Sequence, residues 1–64
     1  MNNSRKVAEI SSKINRLFEE KEAKQKKGVL DVTDILIKID ALLDEAERFG
    51  ISDEVLKRVY PEID

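Results

Sequence analysis

The sequence predicts an all-α protein in which an antiparallel hairpin of two long helices is followed by a short third helix. Apolar residues recur at steps of three and four in two stretches, which is the spacing of one helix face. The members of the first stretch are Val7, Ile10, Ile14 and Leu17, and those of the second are Val32, Ile35, Ile39, Leu42, Ala46 and Phe49. Seven acidic residues also stand four positions before a basic one, an order that stabilises helices. The two glycines, Gly28 and Gly50, divide the chain into three segments.

The ends of the helices are predicted from residues that favour helix termini. Gly28 follows a cluster of lysines, and a left-handed glycine commonly follows basic residues at a helix C-terminus. Asp31 is expected to cap the second helix and Gly50 to close it. Ser52 is expected to cap the third helix and Pro61 to stop it. The predicted helices therefore cover about 4–27, 32–49 and 53–60.

The stretch VTDILIKI has a competing interpretation, because the β-branched residues Ile35, Ile37 and Ile39 alternate as they would in a strand. A strand must pair with a second strand, and the sequence contains no other segment of this kind. Helix is therefore the preferred prediction.

Length and composition limit how the chain becomes stable. Sixty-four residues are expected to form a single helical domain, 1–64, and a chain this short buries only about 60% of its surface on folding. Cysteine and histidine are absent, which removes disulfides, thiol chemistry and the commonest transition-metal ligands. Association with another chain is the remaining way to add stability, so we expect another chain to complete the hairpin as a bundle.

Two features of the sequence concern location. No apolar run approaches the roughly 18 residues of a membrane span, and the N-terminus lacks the apolar centre of a signal peptide. The sequence therefore predicts a soluble, cytoplasmic protein that does not engage a membrane.

Charge is divided unevenly along the chain. Residues 1–28 carry eight basic and four acidic side chains, a net charge of +4, whereas residues 29–64 carry four basic and ten acidic ones, a net charge of −6. The basic half could attract nucleic acid or an acidic partner, or the two halves could attract each other within one bundle. The second interpretation is preferred because it needs no ligand.

The first half of the second helix is predicted to be an interface. In a hairpin about Gly28 the polar residues 21–27 lie beside Val32 to Ile39, and lysine stems cover apolar surface only in part. The third helix starts at the far end and spans only about 12 Å, too little to reach Ile35 easily. The predicted interface residues are Val29, Leu30, Val32, Ile35, Leu36, Ile37 and Ile39. We expect them to pack on a second copy in a homo-oligomer or on a larger protein.

Groups capable of catalysis or metal binding are few. Asp40, Asp44 and Glu47 line one side of the second helix, but without histidine or a glycine-rich phosphate loop they are interpreted as a solvated charged face. Ser11 and Ser12 have no histidine to activate them. The sequence therefore predicts a protein that is not an enzyme, with no metal site, no cofactor and no small-molecule substrate.

The segment EAERFGISDEVLKRV resembles the turn of a helix-turn-helix DNA-binding unit. Ala46 stands four residues before Gly50, and a small residue at this place lets two helices touch. The residues that carry the rest of the resemblance are Phe49 before the glycine, Ile51 and Ser52 after it, and Leu56 and Val59, which are expected to face back toward the preceding helix. A structural corner between two helices explains the same glycine and serine.

The resemblance implies that the third helix reads the major groove of DNA. Asp53 and Glu54 at the start of that helix repel phosphate, which leaves Lys57 and Arg58 as the basic contacts. The main prediction is accordingly a non-catalytic protein–protein interaction module, or small accessory subunit, that buries the apolar face of the second helix. The alternative is a small helix-turn-helix-like, DNA-associated regulator acting as a dimer.

Overall fold

The computed structural model describes residues 3–61 and contains three α-helices, with no strand in that part of the chain. They are α1 (Asn3–Lys26), α2 (Thr33–Arg48) and α3 (Ser52–Val59). The predicted all-α class with three helices is confirmed, and the segment VTDILIKI is helical from Thr33 onward. Each observed helix end lies one residue from its predicted position.

Gly28 ends α1 in the conformation that the sequence predicts. Its φ is 88°, in the left-handed region, where a residue with a Cβ is strained. The Val29 N–H donates to the Lys24 carbonyl at 2.9 Å, and the Gly28 N–H donates to the Gln25 carbonyl at 3.0 Å. These two bonds form a Schellman motif, which satisfies carbonyl groups that the end of a helix otherwise leaves without partners.

The same motif ends α2 at Gly50, whose φ is 70°. The Ile51 N–H donates to the Ala46 carbonyl at 2.9 Å, and the Gly50 N–H donates to the Glu47 carbonyl at 3.0 Å. An apolar contact between the residues at these two positions often accompanies the motif. Here the two residues are Ile51 and Ala46, and both are buried. The corner between α2 and α3 is therefore anchored by backbone bonds and by core packing.

The helix starts differ from the predicted caps. Val32 occupies the N-cap of α2 and Ile51 that of α3, and neither side chain makes a capping hydrogen bond. Asp31, the predicted cap of α2, lies one residue before the N-cap, yet its Oδ1 accepts a hydrogen bond from the Thr33 N–H at 3.2 Å. Ser52 is the first helical residue of α3. The apolar residues hold the cap positions because both are buried in the core.

Contacts between the ends of the helices define how they are arranged. Lys6 Nζ lies 3.2 Å from Glu45 Oε2 and 4.7 Å from the centre of the Phe49 ring. The start of α1 is thus beside the end of α2, as in an antiparallel hairpin. At the other end of α3, Tyr60 packs edge-on against Phe18, with ring centres 5.6 Å apart. Hence α3 runs alongside α1 in the same direction, and α3 ends near Phe18, within the second half of α1.

One apolar cluster fills the space between the three helices. Its buried members are Val7, Ile10 and Ile14 from α1, Val32, Ile35, Ile39 and Ala46 from α2 and its cap, and Ile51, Val55 and Val59 from α3 and its cap. Half-buried Leu17, Phe18, Leu42, Leu43 and Tyr60 surround it. The two helical stripes read from the sequence are therefore the two faces that meet in the core, apart from Phe49, which is 53% exposed beneath Lys6.

The expectation that Val32, Ile35 and Ile39 lack a partner within the chain is wrong. Their exposed fractions are only 8%, 2% and 5%. The expectation rested on a third helix too short to reach Ile35, but the three residues belong to one core cluster with residues of α1 and α3, against which Phe18 and Tyr60 also pack. These three side chains belong to the interior and do not offer a free surface.

Candidate interaction surface

Four of the seven predicted interface residues do lie on the surface. The exposed fractions are 43% for Val29, 85% for Leu30, 48% for Leu36 and 61% for Ile37. All four lie in the loop after α1 or in the first turns of α2, at the closed end of the hairpin, and we call them the tip patch. Apolar side chains of this size in one small region mark surfaces that bind other molecules more often than isolated ones do.

Leu36 is exposed because α3 ends before reaching it. Leu43 lies about 10 Å along α2 from Leu36, on the same side of the helix, and is half-buried. With only eight residues, α3 covers a length of about 12 Å near the far end of α2. The helix wheel thus gives both leucines the same orientation, and their different burial comes from the position of α3.

Ile37 is exposed for a different reason. It lies about 200° around the helix from Ile35, which faces the core with 2% exposure. An isoleucine on the outer face of a helix gains nothing from the interior of its own chain. Leu30 lies in the connecting loop, where polar residues are usual, and it is the most exposed of the large apolar side chains described.

Charged side chains flank the tip patch on two sides. Lys26 and Lys27 are exposed at the end of α1. Farther along α2, Asp40, Asp44 and Glu47 are exposed on one side, and we call these three the acidic flank. Within the part of the chain that the structure describes, none of the five makes an ion pair, whereas Glu9 and Glu20 each pair with a lysine four residues on.

The tip also contains a small hydrogen-bonded turn. Asp31 Oδ1 accepts from the Thr33 hydroxyl at 2.7 Å as well as from the Thr33 N–H. The hydroxyl bond is the larger cause, and the N–H bond the smaller, of a pKa for Asp31 below its ordinary value. The turn fixes the start of α2 next to Leu30 and so contributes to the shape of the tip patch.

Lys57 and Arg58, the predicted nucleic-acid contacts, are exposed on α3. They border a shallow groove between α3 and α1 together with Ala8, Ser11, Ser12, Asn15 and Pro61. No carboxylate is among these bordering residues. Lys57 and Arg58 are also free of ion pairs with the other described residues.

The residues that resemble a helix-turn-helix turn are only partly placed as expected. Ala46, Ile51 and Val59 are buried where α2, α3 and the core meet. Leu56 was expected to face back toward α2, but it is 39% exposed, and Val55 takes the fully buried position. α3 starts at Ser52, one residue earlier than predicted. It presents Val55 and Val59, which are four residues apart on one face, to the core.

Sequence reasoning did not identify Ser11 as a buried residue. Its exposed fraction is 4%, and its Oγ has no hydrogen-bond partner in the structure. The helical spacing contains the signal, because Ser11 lies four residues after Val7 and three before Ile14, on the edge of the apolar stripe. A small side chain at this place lies where α1 meets α3.

Among residues 3–61 no group of three or more acidic, histidine or cysteine side chains is arranged to hold a metal ion. None of the three helices has the length and apolar character needed to cross a membrane. Comparison of the chain with protein-family models, curated proteins and solved structures finds no match.

Proposed function

We propose that the protein is a non-catalytic protein–protein interaction module, or small accessory subunit, whose binding surface is the tip patch. The observation that carries this proposal is the exposure of Leu30 at 85% and Ile37 at 61%, the two highest values among the large apolar side chains described. Burying a large apolar side chain that is otherwise exposed contributes about 1.5–3 kcal/mol. Covering Leu30 and Ile37 is therefore expected to favour binding.

Backbone geometry supports the same surface. The Schellman motif at Gly28 and the hydrogen bonds between Asp31 and Thr33 hold both ends of the connecting loop. A surface whose backbone is already ordered loses less conformational entropy on binding than a flexible one. Val29 and Leu30 are thus presented in a prepared conformation.

A matched pair of substitutions tests the proposal. Leu36 and Leu56 are both partly exposed, at 48% and 39%, but only Leu36 belongs to the tip patch. Leu36→Ser should weaken binding, and Leu56→Ser should not, while both remain as helical as the unaltered protein. The readouts are the solution mass by sedimentation equilibrium and the recovery of copurifying proteins with each variant as bait.

Equal behaviour of the two variants in both readouts would refute the proposal. A combined Leu30→Ser/Ile37→Ser variant strengthens the test, because it removes the two most exposed members of the patch without touching a buried residue. Ile35 is not a suitable target, since it is only 2% exposed and a charged substitution there would unfold the chain.

A second candidate function is that of a small DNA-associated regulator acting as a dimer. The observation that favours it is the groove bordered by Lys57 and Arg58, which has no carboxylate among its bordering residues. Phosphate contacts by these two side chains would give duplex binding that weakens with salt. Lys57→Glu/Arg58→Glu should then abolish retention on duplex DNA at low salt. If the unaltered protein and this variant are retained equally, α3 is not a DNA-binding element.

A further inference from the structure

We infer that the tip patch is covered by the tip patch of a second copy of this chain, with the two α2 helices antiparallel about a two-fold axis. This inference rests on the proposed function, since it names the partner for the same surface. Three observations favour a second copy: the charges beside the patch, the order of apolar and acidic residues along α2, and the area that a stable interface requires.

The charges favour a copy in the antiparallel orientation. Lys26 and Lys27 lie at the closed end of the hairpin, and the acidic flank lies along the other half of α2. The start of α2 and Glu47 are about 20 Å apart along the helix, so Glu47 cannot pair with the lysines at the closed end of its own chain. An antiparallel copy brings the lysines of each chain to the acidic flank of the other. A parallel copy would place the two acidic flanks together, which is repulsive.

The order of residues along α2 gives the position of the axis. With the axis between Leu36 and Ile37, Leu36 of each chain lies opposite the partner's Ile37, and the exposed apolar side chains meet at the centre. The acidic flank then begins with Asp40, one turn from the axis, and ends near the partner's Lys26 and Lys27. The arrangement has an apolar centre and a charged rim, as protein interfaces commonly do.

The required area also points beyond the tip patch alone. A stable interface buries about 800 Å² on each partner, which is more than four partly exposed side chains supply. Extending the contact along α2 adds the acidic flank to the interface. Carboxylates that enter an interface are buried at low cost only if they meet cations, and the partner's tip lysines supply them to Glu47 at the end of the flank.

Charge reversal tests this arrangement. The tip reversal is Lys26→Glu/Lys27→Glu, the flank reversal is Asp44→Lys/Glu47→Lys, and a third variant combines both and keeps the net charge. Lys57→Glu/Arg58→Glu is the control, because it changes the net charge as much as the tip reversal does but lies on α3. Self-association is measured by sedimentation equilibrium from micromolar to millimolar concentrations, with helicity followed by circular dichroism.

We expect the unaltered chain to form dimers, each single reversal to weaken the dimer about tenfold, and the combined variant to recover to within about threefold. The control should leave the dimer unchanged. A dimer that the reversals weaken but their combination does not restore would overturn the antiparallel arrangement. A helical monomer at every concentration would overturn the second copy altogether, and the comparison of Leu36→Ser with Leu56→Ser in copurification would still decide the proposed function.

Discussion

Ser11→Ala is expected to stabilise the protein, although it removes a polar group from a chain with a small core. Ser11 is 4% exposed, and its Oγ has no hydrogen-bond partner in the structure. A hydroxyl that leaves water without gaining a partner opposes folding, and alanine removes this penalty with little change in side-chain volume.

The size of the effect follows from two contributions. An unsatisfied buried hydroxyl costs about 1–3 kcal/mol, and replacing serine by alanine inside a helix gains up to about 0.5 kcal/mol of helix propensity. Ser12 is exposed in the same helix, so Ser12→Ala shares the second contribution but not the first. The difference between the two variants therefore isolates the burial of the Ser11 hydroxyl.

The assay is urea and thermal unfolding of the unaltered chain, Ser11→Ala and Ser12→Ala, followed by circular dichroism. For a chain of this size 1 kcal/mol corresponds to about 4–8 °C in Tm, so Ser11→Ala should exceed Ser12→Ala by several degrees. All samples must share one concentration, because dimer formation adds to apparent stability. Equal Tm values, or a lower Tm for Ser11→Ala, would mean that the Ser11 hydroxyl is satisfied, and the reasoning would fail.

Three further predictions concern the helix ends and the core. Gly50 has a φ of 70° and open space where a Cβ would lie, so L-alanine there should cost about 1–2 kcal/mol of unfolding free energy, whereas D-alanine introduced by chemical synthesis should not. Ile14 is fully buried, so Ile14→Ala should cost about 2–5 kcal/mol and Ile14→Val about 0.5–1.5 kcal/mol in urea unfolding, and equal losses would contradict its place in the core. The pKa of Asp31, followed by NMR titration, should lie below its ordinary value and rise in Thr33→Val, because the Thr33 hydroxyl is the main cause of the lowering. A depressed pKa in the folded state means that the turn stabilises α2 at neutral pH and that this contribution is lost as the pH falls through the lowered pKa; an unchanged pKa in Thr33→Val would contradict the assigned bond.

The helices themselves are predictable because their signals are local. The apolar steps of three and four, the two glycines and Pro61 act within a few residues of their own positions, and they locate each helix end to within one residue. The antiparallel relation of α1 and α2 is also a local consequence, since a six-residue connection brings successive helices side by side. The caps were less predictable, because burial of Val32 and Ile51 outweighed the capping preference of Asp31 and Ser52.

The candidate surface depends on contacts that no local pattern contains. Leu36 and Leu43 are seven residues apart on the same side of α2, yet Leu36 is 48% exposed and Leu43 is half-buried. Residue spacing gives both side chains the same orientation. Their difference follows from where α3 stops, next to the contact of Tyr60 with Phe18, residues that are 42 positions apart in the chain. Neighbouring residues determine where the helices form. The exposed tip patch, in contrast, exists because a short third helix covers one half of α2 and leaves part of the other half open.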